Sequence, residues 1–486
     1  MVGSLSKSGA RIRGDDYQHL FTWFQALRAL QQGSDIIAIG IEDPDAGSVD
    51  DATVYRSRER SEFYQVKSSV DAKQVVNIDW LTGPSRAGGP SILQRLHQSW
   101  IDLTRDKQRP KLGLVTNRPI DTDDPVVVLR DGRDGTVARQ LAEAKSKSKP
   151  GKARKTLAVH LDVEETELMD FLGSLHFYVG KLHEEWEEQA SFLMYSLGLR
   201  ADTDALCLGV AAVRGWVTGG KRKLSVEEIR KEVESLNLRK EEPVAMLLVQ
   251  AIERDPMPES ATLALDWVDL YEGDEPRTRR RLQNGLLWNE RLRPEIQQAV
   301  RQLRGQGHRR ILVRGYMRLP TWFTLGAEFG KTAGFDVVSL QGGEPWDSAG
   351  EIADFPVTVA LNETLGEGND LALGVSLATD LSADVLDYLP ASVPSAGRYI
   401  CIVPRSGPSN RALSSSGEAR GWALEVRNLV RRLAQEYRPN MLHLFLATPH
   451  GAALLLGHSW DRIPHTQLYE DQGTAGSYLP SFLIPN

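Results

Sequence analysis

A chain of 486 residues is too long for a single hydrophobic core, so roughly two to four folded units are expected. Its 41% hydrophobic and 25% charged content excludes a largely disordered protein, and a net charge of −7 excludes a surface that attracts polyanions everywhere. The two cysteines, Cys207 and Cys401, exclude a disulfide framework or a four-ligand zinc site and suit a reducing compartment.

Met1 to Arg13 has no apolar core of a signal peptide, and no later stretch runs for about 20 apolar residues, so a cytoplasmic protein without a membrane span is expected. The first element is a helix capped by Asp16, with Tyr17, Leu20, Phe21, Phe24, Leu27 and Leu30 on one face and a stop at Gly33. Short strands follow at Ile36–Ile41, Ala52–Arg56 and Glu62–Ser68, the last two joined as a hairpin through Ser57–Arg60. A Gly/Pro loop at Gly83–Pro90 precedes a helix at Ser91–Arg105 and a strand at Leu112–Thr116. Lys145–Lys155 carries Lys, Ser, Pro and Gly without apolar periodicity and reads as a mobile arm. Val163 to Asn237 reads as a helical extension, and the charged stretch Tyr271–Arg281 as the domain boundary.

The last third alternates. A helix at Pro294–Arg304 leads to a strand at Arg310–Arg314, a helix at Thr321–Ala333 and a strand at Asp336–Leu340. Strands at Leu371–Ser376, Tyr399–Val403 and Leu442–Ala447 follow, with helices at Gly417–Tyr437 and Gly451–His458. Such alternation implies a largely parallel sheet with ligands beyond the strand C-termini.

Two constellations carry chemistry. In the first, Asp50 and Asp51 open one strand of the hairpin and Gln65 and Lys67 share a face of the next, because side chains two apart on a strand project together. A carboxylate holding a hard cation such as Mg²⁺, next to a lysine that stabilises developing charge, suits phosphodiester hydrolysis. Of the two aspartates Asp51 is favoured, since it abuts the strand and starts its alternation. Gln65 is neutral, so Glu42 or Asp50 would have to add a second carboxylate to the metal. His19 lies beside the apolar stripe of the first helix and reads as structural. In the second constellation, Arg314 and Arg318 flank a strand-to-helix turn that continues into Thr321 and Trp322, and Thr448, Pro449, His450 and Gly451 form a similar turn. Backbone amides at a helix start and arginines hold phosphate, and aromatic rings, including Trp346 after Gly342-Gly343, stack on bases. Gly215 to Arg222 nearly matches a phosphate loop but lacks its Ser or Thr, and Gly457-His458-Ser459-Trp460 lacks the closing glycine of a nucleophile elbow; both are set aside.

Gly14-Asp15-Asp16-Tyr17-Gln18, Ile41 to Gly47, Asp50-Asp51 and Tyr64-Gln65-Val66-Lys67 together resemble the PD-(D/E)xK superfamily in its QxK variant, and more narrowly the endonuclease domain of SAVED-containing effectors of CBASS defence systems. Arg314 to Trp322 and Phe445 to Ala453 resemble the SAVED domain. The resemblance implies an α/β protein: a restriction-endonuclease-like α/β/α domain with a helical extension, and a SAVED domain of two CARF-like, Rossmann-like halves. The expected boundaries are 1–240 for the nuclease, 241–290 for a connecting segment and 291–486 for the sensor. The implied activity is metal-dependent cleavage of double-stranded DNA, with Asp51, Gln65 and Lys67 catalytic and Asp51, Glu42 and Asp50 around Mg²⁺. The implied activator is a cyclic di- or trinucleotide made by a CD-NTase nucleotidyltransferase and held by Arg314, Arg318, Trp322, Trp346, Thr448, Pro449 and His450, with ligand-induced homo-oligomerisation. Two rival readings are a sensor whose nuclease-like domain holds DNA without cutting it, and a phosphodiesterase that degrades its own cyclic nucleotide.

Overall fold

The computed structural model describes residues 7–71, 73–84, 88–105, 109–474 and 476–486. Met1–Ser6 and, within the expected Gly/Pro loop, Ser85–Ala87 lie outside the described residues. The chain divides into two compact units, residues 1–243 and 244–486.

In the first unit, helix α1 (Lys7–Ala29) precedes strands β1 (Ile36–Gly40), β2 (Ala52–Arg56) and β3 (Glu62–Lys67). Helices α2 (Ile78–Thr82) and α3 (Ile92–Thr104) lead to β4 (Lys111–Thr116), then come α4 (Ala138–Glu143), α5 (Lys149–Leu161), α6 (Glu165–Leu172) and β5 (Leu175–Val179). Helices α7 (His183–Ser196) and α8 (Thr203–Thr218), strand β6 (Lys223–Ser225) and α9 (Val226–Ser235) complete the unit. The sheet runs β5-β4-β3-β2-β1-β6, with β3, β4 and β5 parallel and the other pairings antiparallel. Period-2 alternation sends Tyr64 to one face, where it meets Phe21 edge-on at 4.9 Å, and Phe63 to the other, into a cluster with Leu93, Leu96, Trp100 and Phe171. Helices therefore cover both faces. On the α1 side Trp186 lies 4.9 Å from Phe21 and 5.5 Å from Phe24, and its indole donates to the Tyr17 hydroxyl at 3.1 Å.

Several expectations change. Asp16 is not a cap: α1 starts earlier, and Asp16 sits inside it, paired with Arg214. The basic stretch expected as a mobile arm holds most of α5, because Ser148 caps it by accepting from the Gly151 amide and Pro150 fits its first turn. Arg154 is drawn in from that stretch to donate to the carbonyls of Leu141, Ala142 and Ala144 at the end of α4. The helical extension contributes strands too, since β5 and β6 form the two edges of the sheet.

Beneath the hairpin lies an ion network. Glu62, 3% exposed, accepts from Arg28 of α1 at 3.0 Å, from Arg56 of β2 at 2.8 Å and from the Tyr64 hydroxyl, while Arg56 also pairs with Asp35. Burial would raise the Glu62 carboxyl, but Arg28, Lys111 and Arg56 prevail and hold it well below the usual carboxylate range.

In the second unit the first sheet is built from β7 (Ala245–Gln250), β8 (Leu263–Asp266), β9 (Arg310–Tyr316), β10 (Asp336–Gln341) and β11 (Glu344–Asp347), with α10 (Arg293–Gly305) before β9 and α11 (Leu319–Glu328) after it. Its order is β11-β10-β9-β7-β8, with β10, β9, β7 and β8 parallel and β11 antiparallel at the edge. The second sheet takes β12 (Val357–Thr364), β13 (Asp370–Ser376), β14 (Ala396–Pro404), β15 (Leu442–Ala447), β16 (Thr466–Asp471) and β17 (Tyr478–Ile484) in the order β12-β14-β13-β15-β16-β17. Helices α12 (Ser382–Ser392), α13 (Ser416–Tyr437) and α14 (His450–His458) connect them. Four central strands are parallel and both edges antiparallel, so each sheet is Rossmann-like.

Residues 241–290, expected to connect two domains, instead supply β7 and β8 to the first sheet. Tyr271–Arg281 is likewise no boundary: its apolar anchor Tyr271 is buried edge-on to Trp288 and bridges to Leu282, so only the middle of the loop is polar surface.

The two sheets share a core across α11 and α14. A Cβ on Gly326 would come within 2.1 Å of the Leu454 carbonyl, and one on Gly457 within 2.0 Å of the Phe323 carbonyl, so each helix needs a glycine where the other's backbone crosses it. Gly326 and Gly457 are each the eighth residue of their helix, and each helix follows a central strand.

Two outcomes follow. Glu62→Gln removes the buried anion shared by Arg28 and Arg56 and lowers unfolding stability by about 3–5 kcal/mol in urea titrations; a loss under about 1 kcal/mol would show that the network is dispensable. Because the Glu62 pKa is depressed, its contribution is present above about pH 4.3 and disappears as pH falls toward the native value, so the wild-type advantage shrinks in acid. Gly326→Ala lowers the thermal midpoint measured by calorimetry, through an overpacking cost of about 1–3 kcal/mol in stability.

Candidate functional site

Asp51 stands immediately before β2, opposite the far end of β3. Its Oδ2 accepts from the Val66 amide at 2.7 Å and from the Gln65 side-chain amide, and lies 3.8 Å from Lys67 Nζ. The backbone carbonyl of Asp51 accepts from Gln18 of α1 at 3.4 Å, which ties the helix to the turn. Asp51, Gln65 and Lys67 are thus brought together as the strand alternation requires. Burial is the main influence on the Asp51 carboxyl and raises it; Lys67, the Val66 amide and Gln65 oppose this without cancelling it. Asp50 is raised too, chiefly by burial, with Glu42 and Asp43 adding to the effect.

The other expected ligand behaves differently. Glu42 is exposed and paired with Arg222, close enough to act on Asp50 through its field but not beside Asp51 in a shared cluster. Among the described residues, no group of three or more His, Cys, Asp or Glu is arranged to hold a metal. The donor set still fits Mg²⁺, which commonly takes one or two carboxylates and completes its shell with water and substrate oxygens. All three polar contacts of the Asp51 carboxylate fall on Oδ2, which leaves Oδ1 for a cation without breaking any of them. Asp43, which the sequence did not single out, accepts from the Tyr55 hydroxyl at 2.6 Å and the Asp45 amide at 3.1 Å and braces the preceding loop. His19 is buried, and burial lowers its pKa, as befits a structural histidine.

Just past Lys67 the chain enters the wall of a 960 Å³ cavity in the same unit, lined by Ser68, Ser69 and Asn117 and by three arginines, Arg13, Arg118 and Arg214. The Arg118 guanidinium lies 4.5 Å from the Trp80 ring, which fixes its plane. Nothing in the linear spacing of these residues announces the cavity.

In the second unit Arg314 is 2% exposed on β9 and paired with the equally buried Asp255, so it is a structural ion pair and not a ligand contact. Arg318 stands at the start of α11, donates to the Arg279 carbonyl at 3.0 Å and approaches Glu470 at 3.7 Å. Trp322 and Trp346 belong to the core, and Trp346 sits on β11 rather than in a loop, because the preceding Gly342-Gly343 turns the chain back onto β10. The two tryptophans nevertheless wall the β15–α14 turn. Trp322 lies 4.7 Å from the His450 ring, and Gly451 approaches Trp346 so closely that a Cβ would come within 2.9 Å of the indole. His450 faces the Leu340 carbonyl at 3.2 Å, Pro449 sets the start of α14, and Thr448 Oγ1 is buried without a hydrogen-bond partner. Trp322, Trp346, Thr448, Pro449 and His450 therefore gather at one end of the two sheets, while Arg314 does not join them.

The model of the SAVED domain, the SMODS-associated and fused to various effectors sensor domain, matches residues 292–484. CD-NTase-associated protein 4 of Enterobacter hormaechei subsp. hoffmannii (strain UCI 50) is 25% identical over 506 residues, covering 98% of this chain and 99% of its own. Among solved structures, the Acinetobacter baumannii Cap4 SAVED/CARF-domain containing receptor with the cyclic trinucleotide 2′3′3′-cAAA matches at 15% identity and a TM-score of 0.43 over the full length of both chains. The Moraxella osloensis Cap4 receptor matches at 16% identity and a TM-score of 0.38 over 97% of this chain and 99% of that one. Residues 292–484 therefore match the SAVED sensor domain, and the chain resembles CD-NTase-associated protein 4 over nearly its whole length.

Proposed function

We propose that the first unit is a metal-dependent endonuclease for double-stranded DNA and that a cyclic oligonucleotide in the SAVED domain switches it on. The observation that carries this reading is the convergence of Asp51, Gln65 and Lys67 on one end of the β2–β3 hairpin. A bound Mg²⁺ would supply a water of lowered pKa and a Lewis acid for the scissile phosphate. Asp51 would hold the cation through Oδ1 while Val66 and Gln65 fix its other oxygen. Lys67, about a third exposed, is placed to meet a phosphate oxygen and to offset charge that builds on it. No helix among the described residues is long and apolar enough to cross a membrane. The activator would be made by a CD-NTase and held near the β9–α11 and β15–α14 turns.

Incubation of the full chain with plasmid, Mg²⁺ and a panel of cyclic di- and trinucleotides tests the proposal. Cleavage is expected only with metal and one of the panel, and chelation with EDTA stops it. Lys67→Ala and Asp51→Ala reduce the cleavage rate by at least about a hundredfold, with ligand affinity unchanged by calorimetry. Wild-type rates in both variants would remove the site.

Activation also requires the ligand to favour one state over another, since equal affinity for two states shifts nothing. Association of several chains would multiply local contacts to one duplex and raise the odds of paired cuts on opposite strands. The activator is therefore expected to convert a small species into a larger one in light scattering, with cleavage rising more steeply than linearly in protein concentration; full activity from a monomer would limit the switch to one chain.

A further inference from the structure

At the tip of the β16–β17 hairpin in the second unit, a cavity of about 120 Å³ is walled by Arg280, Arg281, Trp288, Glu470, Gln472 and Leu479. This is several times what one water needs. Around it the polar accounting does not close. Glu470 is 3% exposed and its Oε2 has no hydrogen-bond partner; its other oxygen is 3.7 Å from Arg318 Nε, which also lacks one. The nearby Tyr271 hydroxyl and Thr321 Oγ1 are buried as well and interact with each other. Buried polar groups in native proteins are nearly always satisfied, so orphans gathered beside a cavity point to something that enters it. The cavity's charge says what. Arg280 lies against Gly473, which a Cβ would bring within 2.4 Å of its guanidinium carbon, and reaches the Asp471 carbonyl only at 3.5 Å; Arg281 is exposed beside it.

Resting on the sensor reading above, we infer that this cavity is an anion subsite that takes one phosphodiester of the activating cyclic oligonucleotide, gripped by Arg280 and Arg281 and hydrogen-bonded by the buried Glu470 side chain. An ionised Glu470 would repel such a group. Burial, the largest influence, pushes the Glu470 carboxyl well above its usual range, and Asp471 adds to this, while Arg318 and Arg280 oppose it. The neutral acid can donate one hydrogen bond beside the two guanidinium groups, which suits the acceptor oxygens of a phosphodiester. The groups facing Glu470 are Arg318 from α11, Arg280 and Tyr271 from the 271–281 loop, and Asp471 on its own strand. A phosphodiester does not titrate near neutrality. Affinity therefore falls as pH rises through the native Glu470 pKa.

The full chain is titrated calorimetrically with sulfate, which also does not titrate, and with 2′3′3′-cAAA and 3′3′3′-cAAA, from about pH 6 to about pH 9. Arg280→Ala with Arg281→Ala weakens binding of sulfate and of the bound trinucleotide about ten- to a hundredfold, as does the fold-safe Arg281→Glu. Glu470→Gln, which keeps a neutral donor, binds within about twofold of wild type at the lower pH and abolishes the pH dependence. Without ligand, Glu470→Gln also gains thermal stability over wild type as pH rises, because a group with a raised native pKa loses its contribution on ionising. Trinucleotide binding that the arginine variants leave unchanged would overturn the subsite while leaving the sensor intact. Sulfate binding that depends on the arginines, with no cyclic oligonucleotide bound, would keep the anion site and refute the sensor reading. Wild-type protein that binds neither probe, or a Glu470→Gln variant that keeps the wild-type pH slope, would refute the inference.

Discussion

The nuclease-like site depends on a buried salt bridge that touches no substrate. Glu62 opens β3 and Lys67 closes it, so whatever fixes the first sets the register of the second. Arg28 from α1 and Arg56 from β2 both reach Glu62, and Asp35 at the start of β1 holds Arg56. The network joins the first helix to three strands at one end of the sheet. At the other end Gln18, nearly three turns before Arg28 on the same helix, holds the Asp51 backbone. Asp51 and Lys67 are thus set by a helix clamped to the hairpin at two points. The catalytic role proposed for these residues would need such rigidity, since small misplacements of catalytic groups are costly.

The second unit meets a different constraint. Two Rossmann-like sheets can present two equivalent turns to one ligand only if the helices after those turns lie side by side. Gly326 and Gly457 make that possible, because any side chain at either position would strike the opposing backbone. The closeness has a consequence for the polar groups at the strand ends. Helices this near leave little room for water, so a polar atom pointing inward must find a protein partner or stay unbonded. Arg314 found Asp255; Thr448 Oγ1 found nothing.

The parts of this architecture that could be read from the sequence were the periodic ones. The stripe Tyr17 to Leu27, the hairpin with Gln65 and Lys67 on one face, and the strand-helix alternation after residue 310 follow from 3.6- and 2-residue periods and hold in the structure. What escaped depends on partners distant in sequence. Glu62 read as an ordinary strand residue because Arg28 is 34 positions away, and burying it makes sense only once α1 lies on the hairpin. Arg314 looked like a phosphate contact beside a turn, yet Asp255, 59 positions earlier, claims it. Composition misled in the same way. Lys145–Lys155 is polar like a mobile arm but one arginine in it caps another helix, and Tyr271–Arg281 is polar like a linker but Tyr271 at its start is core. The cavity of the first unit escaped for the same reason, since Arg13, Arg118 and Arg214 meet only in space.

The inferred subsite bears on how a sensor of this kind could transmit anything. A ligand drives a change only to the extent that it prefers one arrangement, and buried unsatisfied groups are a source of such preference. Each orphan costs on the order of 1–3 kcal/mol in the empty protein, a cost that falls on whichever arrangement keeps it dry. In that arrangement Glu470 Oε2 and Arg318 Nε lack partners at the base of α11. A phosphodiester that satisfies them gains more from this arrangement than from one that has already opened to water. The differential is of the size that allosteric couplings usually have, about 1–3 kcal/mol. Because Arg318 stands at the start of α11, and α11 touches α14 backbone to backbone, satisfying it acts directly on the rigid pair that unites the two sheets. The polar deficit and the glycine contact therefore belong to one device: the first supplies a preference for ligand, and the second leaves α11 no way to respond to it without α14.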